Sequence, residues 1–118
     1  MSPLGSLLRF FRNERNVSPA ELGRPLKLDR KDISALETGR LGPPDEAVLL
    51  KIRDVLHLTP KEYQALLDAA RHSSRTVRIP RDASPGKFRL VHELMHSLGD
   101  LNPSQIEEIR KVIHRRSA

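Results

Sequence analysis

Residues 22–40, Leu-Gly-Arg-Pro-Leu-Lys-Leu-Asp-Arg-Lys-Asp-Ile-Ser-Ala-Leu-Glu-Thr-Gly-Arg, leave few folds open, because they hold two short helical segments, a tight turn between them and a glycine stop. Asp29 can cap the second segment, and Ile33 and Leu36 are spaced i, i+3 to face a core. Gly39 stands just past the helix end, where a positive φ is needed. Pro25 lacks an N–H and strains the turn before it, so the first segment is expected to end early, with the connection running from Pro25 to Leu28. Arg30, Lys31, Asp32 and Ala35 are left pointing outward near the start of the second segment.

Helices flank this pair on both sides. Leu4, Leu7, Leu8 and Phe11 fall at i, i+3, i+4, i+7 and predict an amphipathic helix over residues 3–15, with Pro3 in its first turn. Ser18-Pro19-Ala20-Glu21 combines an N-cap, a first-position proline and a reciprocal glutamate, so the next helix starts at Ser18. After the loop from Arg40 to Pro44, Val48, Leu49, Ile52, Val55 and Leu56 give a fourth helical face over 45–56. Thr59-Pro60-Lys61-Glu62 repeats the capping pattern, and Tyr63, Leu66, Leu67 and Ala70 predict a fifth helix to about Arg71.

The chain of 118 residues carries a net charge of +6 and has no cysteine. That excludes disulfides, thiolate metal sites and a cysteine nucleophile, and it favours a polyanionic partner. Lys and Arg exceed Asp and Glu by 8 to 5 in residues 1–40 and by 10 to 5 in residues 71–118, whereas residues 41–70 carry 3 against 5. The basic surplus therefore lies toward both ends. No signal peptide and no apolar run of ~18 residues is present, so a cytoplasmic, nucleoid-associated location and no membrane partner are expected.

Five short helices with the outward-facing basic segment third resemble the Xre or lambda-repressor-like (Cro/CI-type) helix-turn-helix regulators. The resemblance covers about residues 4–71. It is carried by Ser18, Leu22, Leu26, the apolar Leu28, Ile33-Ser34 and the ending Glu37-Thr38-Gly39-Arg40, without a gap. It implies that the third helix reads base edges in a major groove through Arg30, Lys31, Asp32 and Ala35, while Ser18, Thr38 and Arg40 touch the DNA backbone. It also implies that Arg12 and Glu37 form an ion pair serving the fold. The chain departs from the pattern at Pro19, where a glutamine is common, and at Lys27, where a turn glycine is usual and a left-handed residue costs ~1 kcal/mol. Pro25 and an extra Gly42 are the other two departures.

From Ser73 the texture changes to a Ser-, Pro- and Arg-rich stretch without helical period, which reads as a linker over 73–86. Beyond it, Phe88, Val91, Leu94, Met95 and Leu98 form one apolar stripe and Ile106, Ile109, Val112 and Ile113 another, with Gly99 and Asn102-Pro103 between them. This is a helical hairpin over 87–118, too small to bury both stripes by itself. It is expected to be a dimerisation module with Leu94, Met95, Leu98, Ile106, Ile109 and Ile113 at its seam, or to bind a protein partner.

One motif competes. His92-Glu93-Leu94-Met95-His96 has the H-E-x-x-H spacing that sets two imidazoles on one helix face for zinc, with the glutamate as general base. The position where one large peptidase group has a third histidine is Asn102, a poor ligand, and about 45 residues cannot supply a substrate cleft. His92, Glu93 and His96 also lie off the apolar stripe, on the polar side. The expectation is thus an all-α protein: a five-helix DNA-binding domain over 1–72, a linker and a helical hairpin, without catalytic residues, metal or cofactor. Its expected function is sequence-specific regulation of transcription as a homodimeric repressor on an inverted repeat. An antitoxin or accessory regulator with a partner-binding hairpin is the alternative, and a zinc peptidase the remote one.

Overall fold

Helix starts are encoded in one recurring way. Ser2, Ser18, Asp29, Asp45, Thr59, Ser84 and Asn102 each stand in extended backbone and accept, through the side chain, the N–H of the residue three further on. All but Asp29 and Asp45 are followed by proline, whose fixed φ suits the first helical position and whose missing N–H would have been unpaired there anyway. Each such cap contributes about 1 kcal/mol relative to alanine.

The computed structural model describes residues 1–115, and these are all-helical. The helices are α1 (Pro3–Glu14), α2 (Pro19–Leu26), α3 (Arg30–Thr38), α4 (Glu46–Leu56), α5 (Pro60–Arg71), α6 (Pro85–Ser97) and α7 (Pro103–His114), with a 3-10 turn at Leu98–Asp100. The chain divides into two units, residues 1–77 and residues from 78 onward. Residues 116–118, the end of the expected hairpin, lie outside the described part.

In the first unit α1 packs on α3 and α5, and α2 packs on α3 and α4. Leu4, Leu8 and Phe11 of α1 meet Leu22 and Leu26 of α2, Ile33 and Leu36 of α3, Leu49, Ile52 and Leu56 of α4, Leu58 of the α4–α5 connection and Leu66 of α5 in a single, mostly aliphatic core. Two glycines permit the closest approaches. A Cβ on Gly5 would run into the carbonyl oxygen of Glu37, and one on Gly23 into that of Leu28, so α1 rides directly on the end of α3 and α2 on the turn that follows it.

Pro25 does not end α2. The helix runs to Leu26 with Pro25 in its last turn, where the missing N–H costs one hydrogen bond and the proline φ is already helical. The turn accordingly begins at Lys27, not at Pro25. Lys27 takes the left-handed conformation (φ 59°, ψ 35°), and Leu28 N–H closes the helix end by donating to Gly23 O at 2.9 Å.

The first unit continues past the change in sequence texture. Ser73 is buried, accepts the N–H of Leu4 at 2.9 Å and donates to Ala69 O, while Arg75 donates to Gly39 O at 2.9 Å. These bonds fasten residues 73–75 across the start of α1 and the end of α3. The second helical unit likewise starts earlier than the linker boundary at 86 suggested, because Ser84 is the cap and Pro85 the first residue of α6. Within the second unit no described residue is buried, and α6 and α7 make few close backbone approaches.

Candidate nucleic-acid interface

The helix that would read DNA is held from behind. Ile33 and Leu36 are buried, and Gly39 at φ +81° ends α3 in a conformation that side chains resist. Glu37, 2% exposed, receives Arg12 in a two-pronged contact, Nε to Oε2 at 2.8 Å and an Nη2 bond to Oε1 at 3.1 Å. Arg9 Nε adds a third bond to Oε1 at 3.1 Å, and Arg12 also donates to Val17 O at 3.0 Å. The buried carboxylate thus joins α1, α3 and the α1–α2 connection. Arg9 and Gly5 carry part of this junction without any signal in hydrophobic spacing, since one is an exposed arginine and the other a glycine inside a helix.

The outer side of α3 borders a shallow groove of about 590 Å³, lined by Pro19, Arg30, Lys31, Asp32, Ser34, Ala35, Arg40 and Leu41. Arg30, Lys31 and Arg40 are exposed, and Asp32, Ser34 and Ala35 are half-buried. Five residues singled out from the sequence therefore share one concavity, with three cations at its margin. Neither Arg30 nor Lys31 has an ion-pair partner among the described residues, so both are unspent for a ligand.

Local hydrogen bonds qualify the other expected contacts. Asp32 Oδ2 accepts from Asp29 N–H at 3.1 Å, completing a capping box, which turns part of the Asp32 carboxylate back on its own helix. Thr38 Oγ1 donates to Ser34 O at 2.9 Å and receives Arg40 Nε at 3.3 Å. Ser18 Oγ accepts Glu21 N–H at 3.1 Å. Glu21 in turn accepts Ser18 N–H at 3.0 Å, and these bonds with Ser18, backbone first, hold its carboxyl below the ordinary value of 4.5. A charged carboxylate thus sits at the start of α2, where Pro19 supplies no N–H, so this terminus attracts phosphate less than a bare helix start does.

In the second unit, Leu90, Leu94, Leu101, Ile109, Val112 and Ile113, with Glu93 and Ser97, line an apolar groove of about 450 Å³ between α6 and α7. Of the residues expected at a seam, Leu94, Ile109 and Ile113 line this groove. Met95, Leu98 and Ile106 lie outside its lining and are exposed. Leu90 carries no separate signal in the sequence because Leu94 fits by spacing both the stripe 88/91/94/95/98 and a pair with Leu90, and Leu101 enters the groove from the extended residue that follows the 3-10 turn. His92, Glu93 and His96 are exposed, and among the described residues no three His, Asp or Glu side chains gather as a metal site.

A family model described as a helix-turn-helix domain matches residues 3–66, which span α1 to most of α5. An uncharacterized HTH-type transcriptional regulator of Bacillus subtilis, RghRB, is 32% identical over 94 residues, 80% of this chain and 65% of that protein. A phosphoenolpyruvate carboxylase of Aromatoleum aromaticum is 31% identical over 107 residues, 91% of this chain and 11% of the enzyme, too small a piece to carry an activity across. The chain thus spans less than two thirds of either relative. No solved structure matches it. The match over α1 to α5, joined to a third helix whose outer side is basic, means that the chain belongs to the helix-turn-helix family of Xre-like regulators.

Proposed function

We propose that the protein is a sequence-specific double-stranded DNA-binding regulator of transcription, a repressor that acts as a homodimer on an inverted repeat, without catalytic chemistry of its own. The observation that carries this reading is the groove along α3, which Ala35 lines together with Arg30 and Lys31, neither of them in an ion pair among the described residues. Guanine offers O6 and N7 to such cations in the major groove, and phosphates take Arg40, Ser18 and Thr38 at the edges. Homodimerisation is supported by the second unit, whose large apolar side chains stand 37–68% exposed at Phe88, Leu90, Val91, Met95, Leu98, Ile106, Val112 and Ile113. A second copy is the occupant that also doubles the reading helices, spaced ~34 Å along one DNA turn for a palindrome. The same exposed face suits a foreign helical partner, as in the antitoxin-like alternative.

Selection of bound sequences from random duplexes tests this directly: a palindromic site is expected, and a single half-site would remove the dimer. On the selected site Arg30→Ala or Lys31→Ala should weaken binding by about 1–3 kcal/mol and relax one base pair. Arg40→Ala should weaken specific and scrambled duplexes alike and lower the salt slope by about 1. Equal losses on both duplexes for Arg30→Ala and Lys31→Ala would show that they do not read bases.

A further inference from the structure

The loop after α3 places an apolar residue where the sequence pattern gave none. Leu41 is 47% exposed, yet it lines the same groove as Arg30, Lys31 and Arg40, together with Pro19 and Ala35. It is not a free loop tip. Leu41 N–H donates to Ala35 O at 3.1 Å, which fixes its backbone against the last turn of α3, and Gly39 N–H donates to Leu36 O at 3.3 Å just before it. Gly39 is itself pinned by Arg75 on its carbonyl and lies close against Ser2.

We propose that Leu41 is a specificity-determining residue that seats the C5-methyl of a thymine, with Ala35 and Pro19 completing an apolar wall. This rests on the DNA-binding reading above and deepens it. The cations around the groove select a polyanion, and phosphates and sugars offer a leucine nothing. The apolar group that a base pair presents in the major groove is the thymine methyl, so an exposed leucine held among arginines and a lysine in a DNA-facing groove has one matching partner there. Burying that methyl is worth about a CH₂ group, or about a 4-fold change in affinity. Arg30 and Lys31 would then read guanine at one end of the groove while Leu41 reads thymine at the other.

The test uses the full-length protein and its selected duplex, replacing each thymine in turn by deoxyuridine, which removes the methyl and leaves every hydrogen-bonding group. Wild-type protein should lose about 4-fold at one thymine per half-site. Leu41→Ala should bind the thymine duplex as weakly as wild type binds that deoxyuridine duplex, and should be indifferent to the replacement. Leu41→Met should restore the discrimination. Because Leu41 is outside the core, an unchanged thermal midpoint is expected for both variants. If Leu41→Ala keeps the full deoxyuridine penalty, or if no thymine is methyl-sensitive while the site is still bound, the role of Leu41 is overturned and the DNA-binding reading stands. If no duplex is bound at any sequence, the underlying reading falls and this one with it.

Discussion

The two units are built from the same local devices and differ in what those devices enclose. Caps of one kind start helices in both: Ser18 and Thr59 in the first, Ser84 and Asn102 in the second, each with proline next. In the first unit five helices close on a core in which Leu8, Leu22, Ile33, Ile52, Leu56 and Leu66 are fully buried. In the second, two helices of similar length bury none of their described residues. Caps specify where helices begin but stabilise each by only about 1 kcal/mol, whereas burial of one leucine or isoleucine contributes about 1.5–3 kcal/mol. The first unit is therefore expected to fold alone, and the second only with its apolar face covered.

Cutting the chain between the units should have the largest effect. A protein ending at Val77, which retains Ser73 and Arg75, should unfold cooperatively as a monomer and lose about 10²-fold or more in affinity for a palindromic site, with half-site preference unchanged. Sedimentation and titration of both lengths at equal salt measure this. A dimeric 1–77 fragment would place the pairing surface in the first unit. Residues 78–118 alone should show helical circular dichroism only at concentrations where they associate.

Next in size is the buried carboxylate. Glu37→Ala strands Arg12 against the core and should cost about 3–5 kcal/mol in urea unfolding of the first unit. Replacing both partners together by apolar residues of similar volume should recover most of the loss, since it removes the uncompensated charge. A Glu37→Ala cost below about 1 kcal/mol would show that water reaches Arg12 and relieves it.

What the sequence discloses follows the same division. Helix positions and the inward faces of α1 to α5 were legible because caps and periodicity are local, and one unit buries one face of each helix. Pro25 misled, since a rule about helix interiors was applied to a final turn. Gly5, Arg9 and Leu41 were illegible for another reason: their roles depend on which segment lies opposite, Glu37 for the first two and the α3 groove for the third. The seam in α6 was ambiguous because no burial in that unit selects between its two stripes.

The glycines sharpen the contrast at smaller cost. Gly5→Ala pushes a methyl into the Glu37 carbonyl and should destabilise the first unit by about 1–3 kcal/mol. Gly86→Ala, in the first turn of α6 with only Ser84 Oγ near at 3.9 Å, should be neutral or stabilise by up to about 1 kcal/mol. Thermal melts of the two variants compare a packed helix with an open one.

The smallest expected effect is a pH dependence of the first unit. Glu62 accepts Thr59 N–H at 2.9 Å and Arg15 Nη2 at 2.7 Å through the same Oε1. The backbone bond from Thr59, and after it the Arg15 contact, hold the Glu62 carboxyl below its ordinary value of 4.5. Glu21 is lowered likewise by its bonds with Ser18. A carboxyl whose folded value is depressed binds its proton less readily than in the unfolded chain, so the unfolded state takes up protons first on acidification. The stabilisation is fully present above the ordinary value and is lost as the pH falls below it, through the lowered folded value. Glu62→Gln can still accept the Thr59 N–H but removes both the titration and the negative charge that faces Arg15. It should therefore flatten the fall in melting temperature below pH 4.5 while lowering it slightly at neutral pH. Glu21→Gln should do the same to a lesser degree, because among the described residues no arginine hydrogen-bonds to it. A wild-type acid slope unchanged in the double variant would mean that other carboxylates govern acid unfolding.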